Sequence, residues 1–137
     1  MNHTGNGYNR HQHRLSELSG FGKQLVRRSG AHCELCSAAD VPLRIFEVPP
    51  VPVEPDITTC IFICDTCRNQ LEKPAKIDSN HWHFLTRTVW SQEPAIQVIS
   101  VRMLQYLESK VDWAEEILEQ LYLEPEIVNW VKQENIA

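Results

Sequence analysis

CELCSAADVPLRIFEVPPVPVEPDITTCIFICDTC, residues 33–67, opens and closes on one pattern: two cysteines with two residues between them. Cys33 and Cys36 form the first pair, Cys64 and Cys67 the second, and 27 residues separate the pairs. A tight turn at that spacing aims both sulfurs at one point and frees backbone N–H groups to hydrogen-bond thiolates. Two such knuckles complete a tetrahedron around one ion. The expected ligand set is therefore Cys33, Cys36, Cys64 and Cys67, and the expected ion is Zn²⁺. A full four-sulfur shell leaves no position for water, so the ion is expected to be structural rather than catalytic. Its ligands must be deprotonated, so binding is expected to weaken at low pH.

Between the knuckles, residues 41–48 (VPLRIFEV) alternate and are rich in β-branched and aromatic side chains, which predicts a strand. Pro49, Pro50, Pro52 and Pro55 then force an extended loop. Residues 57–64 (ITTCIFIC) predict a second strand that returns the chain to the cysteines, closing a hairpin. Cys60 lies within that apolar run and reads as a buried, inert thiol. His32 adjoins the first knuckle and reads as a hydrogen-bond donor to the thiolates rather than a ligand. Four thiolates around Zn²⁺ leave a net charge near −2, and Arg27, Arg28 and Arg68 are near enough in sequence to offset it. Iron suits the same donor set, as in rubredoxin-like electron carriers. Knuckles there are usually followed by glycine and small residues; here Ser37 and Arg68 follow.

On the N-terminal side, residues 1–13 (MNHTGNGYNRHQH) are polar and without periodicity, which predicts a flexible tail. His3, His11 and His13 in it admit a metal reading, though polar tails commonly carry histidines. Leu15, Leu18, Phe21, Leu25 and Val26 recur at helical spacing, weakened by Gly20 and Gly22 and ended by Gly30. On the C-terminal side, a helix is predicted to begin at the second knuckle, about 65–70. Asp78 or Ser79 is placed to cap a helix through His81–Arg87, and Ser91 one at roughly 93–108. Asp112 is placed to cap another, and Pro125 to open a last short one. The expected fold is α+β: a Cys₄ zinc finger of treble-clef or zinc-ribbon type with a small β-hairpin, packed against three to four helices. The finger is assigned to 31–72 and the helical part to 78–135, within one zinc-binding domain spanning 14–137. At 137 residues and 42% hydrophobic composition there is enough apolar surface for a core that does not depend on metal alone.

Charge is uneven. Residues 1–30 carry Arg10, Arg14, Lys23, Arg27 and Arg28 against Glu17 alone, whereas 108–137 carry eight acids against Lys110 and Lys132. Two readings stand: a frayed basic start with an acidic solvated face, or a basic surface for an acidic partner such as nucleic acid. On the second reading Arg14, Lys23, Arg27, Arg28 and Arg68, joined by Arg87, should share one face. No apolar run approaches the ~18–20 residues of a membrane span, so no membrane partner is expected. No charged-then-apolar leader opens the sequence, so the expected compartment is the cytoplasm, where clustered thiols bind metal rather than pair.

The order knuckle, hairpin, knuckle, helix resembles the treble-clef scaffold of HNH nucleases. Those enzymes place a catalytic histidine near the end of the first strand, where this sequence has Ile45-Phe46-Glu47-Val48-Pro49-Pro50, and Arg68-Asn69 follows the second knuckle. The resemblance implies the scaffold without the catalysis. A second resemblance runs from about residue 25 to residue 124. CELC (33–36), FEVPP (46–50), CDTC (64–67), HWHFL (81–85), VWS (89–91), PAIQV (94–98) and VRML (101–104) occur in the order found in PhnA-type proteins, the alkylphosphonate utilization operon protein family. It implies a zinc-ribbon or treble-clef module and little biochemistry, because that label reflects genomic context. Longer members continue into a small β-rich C-terminal domain, whereas this sequence stops at Ala137.

Other chemistry-bearing residues read blandly. His81 and His83 are two apart, on different faces of a helix, and do not readily chelate one ion; His81 facing a pocket would still suit a general base. Trp82, Trp90, Trp113 and Trp130 read as core or interface anchors, and Glu115, Glu116 and Glu119 as a solvated face. No phosphate-cradling glycine loop or serine or cysteine nucleophile motif is present, so no catalytic residue is assigned. The expected role is a binding or adaptor module with a protein partner.

Overall fold

The hairpin forms where alternation and β-branching placed it. Strand β1 (Leu43–Glu47) pairs antiparallel with β2 (Cys60–Cys64), setting Leu43 opposite Cys64, Ile45 opposite Phe62 and Glu47 opposite Cys60. The computed structural model describes residues 3–137, with side chains from residue 9 onward. β2 is shorter than its apolar run. Residues Ile57–Thr59 make a 3₁₀ turn instead, because the Asp56 carboxylate accepts the Thr58 backbone N–H at 2.9 Å and its hydroxyl at 2.7 Å. Such a side-chain-to-backbone bond competes with the strand ladder.

Helix α1 spans His3–Gly20, so the aperiodic stretch from residue 3 to residue 13 is helical, and the first two positions of the expected flexible tail lie outside the described residues. Composition misses this because helix growth adds one hydrogen bond per residue once a turn exists. Arg14 fastens α1 to the hairpin. Its guanidinium donates to both Glu47 carboxylate oxygens, at 3.0 and 2.5 Å, and to the Pro52 and Val53 carbonyls of the proline-rich loop. Helix α2 (Gly22–Ser29) buries Leu25 and ends at Gly30, whose φ of +64° gives the left-handed cap.

Past the hairpin, α3 (Asp65–Glu72) starts directly at Cys64. The helix expected over 81–87 divides into a 3₁₀ turn (His81–Phe84) and a single turn, α4 (Leu85–Thr88). Helix α5 (Pro94–Leu107) is the axis of the molecule: Ile96, Val98, Ile99, Val101, Met103, Leu104 and Leu107 are all buried. Around it lie α4, α6 (Asp112–Gln120), α7 (Pro125–Lys132) and β2. One buried cluster runs from Cys33 through Ile61, Ile63, Trp82 and Leu85 to Val131, so the cysteines are anchored on the same core that holds the helices. Fully burying such side chains contributes about 1.5–3 kcal/mol each. Arg102 is the charged member of α5's buried surface. It donates to the Trp130, Val131 and Pro49 carbonyls and so caps the C-terminal end of α7.

Candidate metal centre

The first knuckle is a turn tied to itself. The Cys33 N–H donates to the Ala38 carbonyl and the Ser37 N–H to the Cys33 carbonyl, both at 2.9 Å, while the Cys36 N–H points at the Cys33 sulfur from 3.4 Å. Closing it puts Ser37 at φ +70°, a conformation glycine adopts more readily. In the second knuckle Cys64 ends β2 and Cys67 sits in the first turn of α3, where helix N–H groups and the positive end of the dipole favour thiolates.

The structure brings the Cys33, Cys36, Cys64 and Cys67 sulfurs within 4.8 Å of one another. Cys33 Sγ lies 3.9 Å from Cys67 Sγ, and Cys36 Sγ 3.7 Å from Cys64 Sγ. A tetrahedral metal–thiolate shell with bonds near 2.3 Å has sulfur–sulfur edges of about 3.8 Å, so this donor set fits one metal ion. Electrostatics point the same way. The hydrogen bond from Cys67 pulls the Cys33 thiol well below its ordinary range, and the same contact, then burial, drives Cys67 far up. Burial first, then the neighbouring Cys33 charge, pushes Cys36 up to about 12. Four thiolates in this space require a cation among them. Cys60 stands apart: fully buried, it donates to the Asp56 carbonyl, and burial pushes it up to about 11.

Two expectations about the surroundings need correction. His32 is exposed; the imidazole beside the sulfurs is that of His81, with Nε2 3.2 Å from Cys67 Sγ. The 3₁₀ turn 81–84 brings it there, and edge-on contacts with Trp82 and Phe84 hold the ring. Burial lowers the His81 pKa, which favours the neutral imidazole. The arginines do not turn to the sulfurs either. Arg28 forks onto the Glu34 carboxylate at 2.7 and 2.6 Å; Arg68 faces Asp65 and Glu72, its buried Nε without a hydrogen bond; Arg27 is exposed.

Glu34 is the residue that sequence reading passed over. An acid between two cysteines looks solvent-facing, yet its side chain is only 4% exposed and accepts the Phe62 N–H at 2.8 Å. With the Glu34 N–H donating to the Phe62 carbonyl, it stitches the first knuckle to β2. Nothing local in the sequence signals this, because the partner lies 28 positions away.

Of the cations proposed for a basic face, Arg14, Arg28 and Arg68 are engaged with carboxylates, leaving Lys23 and Arg27 exposed on α2 and Arg87 exposed on α4. Trp82 is in the core with its Nε1 on Gln70, Trp113 and Trp130 pack half-buried against it, and Trp90 is 49% exposed. His83 is exposed over Trp113. The exposed His13 pairs with Glu17 near Glu54, an arrangement that needs no ion to explain it. A cleft of ≈ 610 Å³ between α2, α5 and α7 lies away from the thiols, and its charged Arg28 and Glu93 face each other at 3.7 Å. Among the described residues no helix is long and apolar enough to cross a membrane. Comparison with protein-family models, curated proteins and solved structures finds no match.

Proposed function

We propose that this chain binds one Zn²⁺ through Cys33, Cys36, Cys64 and Cys67 as a structural centre, and serves as a PhnA-like binding or adaptor module on a treble-clef-like finger. The observation that carries the reading is the set of four free sulfurs at tetrahedral spacing, with no fourth position left for water. Bound there, the ion supplies cross-linking of hairpin to helix and no reaction. The chain's own groups temper the excess negative charge: the Cys36 N–H on Cys33, the first turn of α3, and His81 on Cys67. A metal-bound thiolate only accepts, so Nε2 of His81 carries the proton in that state. Zinc is preferred to iron because Arg68, rather than glycine or a small residue, follows the second knuckle.

Nucleic-acid binding on a nuclease-derived scaffold is the weaker reading, since three of its six cations already hold partners within the chain. Plasma mass spectrometry of protein purified without added metal tests the main proposal. One zinc per chain, lost in Cys33→Ser and Cys64→Ser, is expected; iron, or no metal with the fold intact, overturns it. Duplex or single-strand binding that weakens steeply with salt would restore the nucleic-acid reading.

A further inference from the structure

The two sides of the cysteine cluster differ in access. Cys33, Cys64 and Cys67 are 2%, 5% and 0% exposed, whereas Cys36 is only half-buried. Cys36 and Cys64 border a cleft of ≈ 430 Å³ walled by Ala38, Val41, Pro42, Asp65, Thr66 and His81. Their sulfurs lie 3.7 Å apart. The Cys33–Cys67 pair is on the buried side, and Cys67 is further screened by His81. Metal-bound thiolates keep nucleophilic character, and oxidation follows thiolate character and access.

We propose that Cys36 is a modification site for hydroperoxides, and that the first product is a disulfide joining Cys36 to Cys64 across the two knuckles. The inference rests on the reading of the four cysteines as a structural zinc centre. The Cys36 sulfur attacks the terminal peroxide oxygen, the O–O bond breaks, and the departing oxygen takes a proton from solvent and leaves as water or alcohol. Cys64 then attacks the resulting sulfenic sulfur and displaces hydroxide, which takes a second solvent proton. Two thiolates are oxidised to one disulfide and one peroxide is reduced, so the electrons balance. Cys33 and Cys67 remain, two donors where four are needed, and the ion is released. Local disulfides within each Cys-x-x-Cys pair are the alternative, and the structure disfavours them because each would enlist Cys33 or Cys67, neither of which lines the cleft.

The test treats zinc-loaded protein with hydrogen peroxide while a chromogenic chelator reports released zinc, followed by alkylation and non-reducing peptide mass spectrometry. One zinc released per Cys36–Cys64 disulfide, with Cys60 still reduced, is expected. Val41→Trp, which fills the cleft from an exposed wall position, should retain zinc but release it roughly fivefold more slowly, because reactivity follows access. First disulfides of Cys33–Cys36 or Cys64–Cys67, release from Val41→Trp at the parent rate, or zinc retained under peroxide would each overturn this inference and leave the structural centre standing. Protein purified without zinc would overturn both.

Discussion

Ser37 holds its left-handed conformation with an exposed side chain. A non-glycine residue there carries about 1 kcal/mol of strain or more, part of which glycine would return as lost chain entropy. Ser37→Gly should therefore raise thermal stability by about 0.5–1 kcal/mol, a shift of a few degrees in Tm by calorimetry, with metal content unchanged. Glu34 is the opposite case. Removing its carboxylate strands the Phe62 N–H and takes the fork from the Arg28 guanidinium, which keeps only the Cys60 carbonyl and Glu93. Glu34→Ala is expected to cost about 2–4 kcal/mol in urea unfolding. A double-mutant cycle with Arg28→Ala should show strong coupling, and additive effects would contradict the pairing. Neither position announces itself in the sequence, where one is a serine in a loop and the other an acid between cysteines. A backbone torsion and a long-range partner give each its weight.

Helix α5 shows how an element's surroundings override its pattern. Its sequence predicts a helix with apolar positions, and the helix is there; what the pattern does not convey is burial on nearly every side, including Arg102 at 2% exposure. That guanidinium is satisfied by three backbone carbonyls. Arg102→Met preserves much of the volume but takes a charged donor from three carbonyls; Pro49 keeps the Trp130 Nε1 and Trp130 keeps the Gln133 N–H, while Val131 loses the Arg102 Nε. A loss of about 2–3 kcal/mol is expected, with the far-UV signal of the folded state unchanged. The start of β2 is a second instance. Apolar content extends the predicted strand back to Ile57, but Asp56 closes a turn first, so Asp56 rather than hydrophobicity sets the boundary.

At the scale of the molecule, finger and helices share one core, yet most of that core lies away from the sulfurs, around α5. Chelating the metal at neutral pH should therefore lower Tm by ten degrees or more, on the order expected when a structural metal ligand set is lost, without abolishing helical circular dichroism at room temperature. Complete unfolding on chelation would mean that the helical core cannot stand without the ion. Acid should act as a chelator does, since protons compete for the thiolates: zinc retention is expected to fall as pH drops.

The sequence by itself determined the hairpin, the positions of α3, α5, α6 and α7, and the ligand candidates, because local spacing and periodicity encode each of these. Two cysteines two apart must turn together, and a proline or a run of apolar residues acts on its immediate neighbours. Only the tertiary structure decided that His81 rather than His32 meets the sulfurs, that Glu34 stitches the knuckle to β2, and that Arg14 and Arg28 bind within the chain. It also decided which of the four sulfurs faces the cleft. Those outcomes depend on partners 14 to 33 positions away, apart from the Arg28–Glu34 fork, which α2 must first dock to make. Side-chain pairing at such range is set by how elements pack, and no local pattern carries that information.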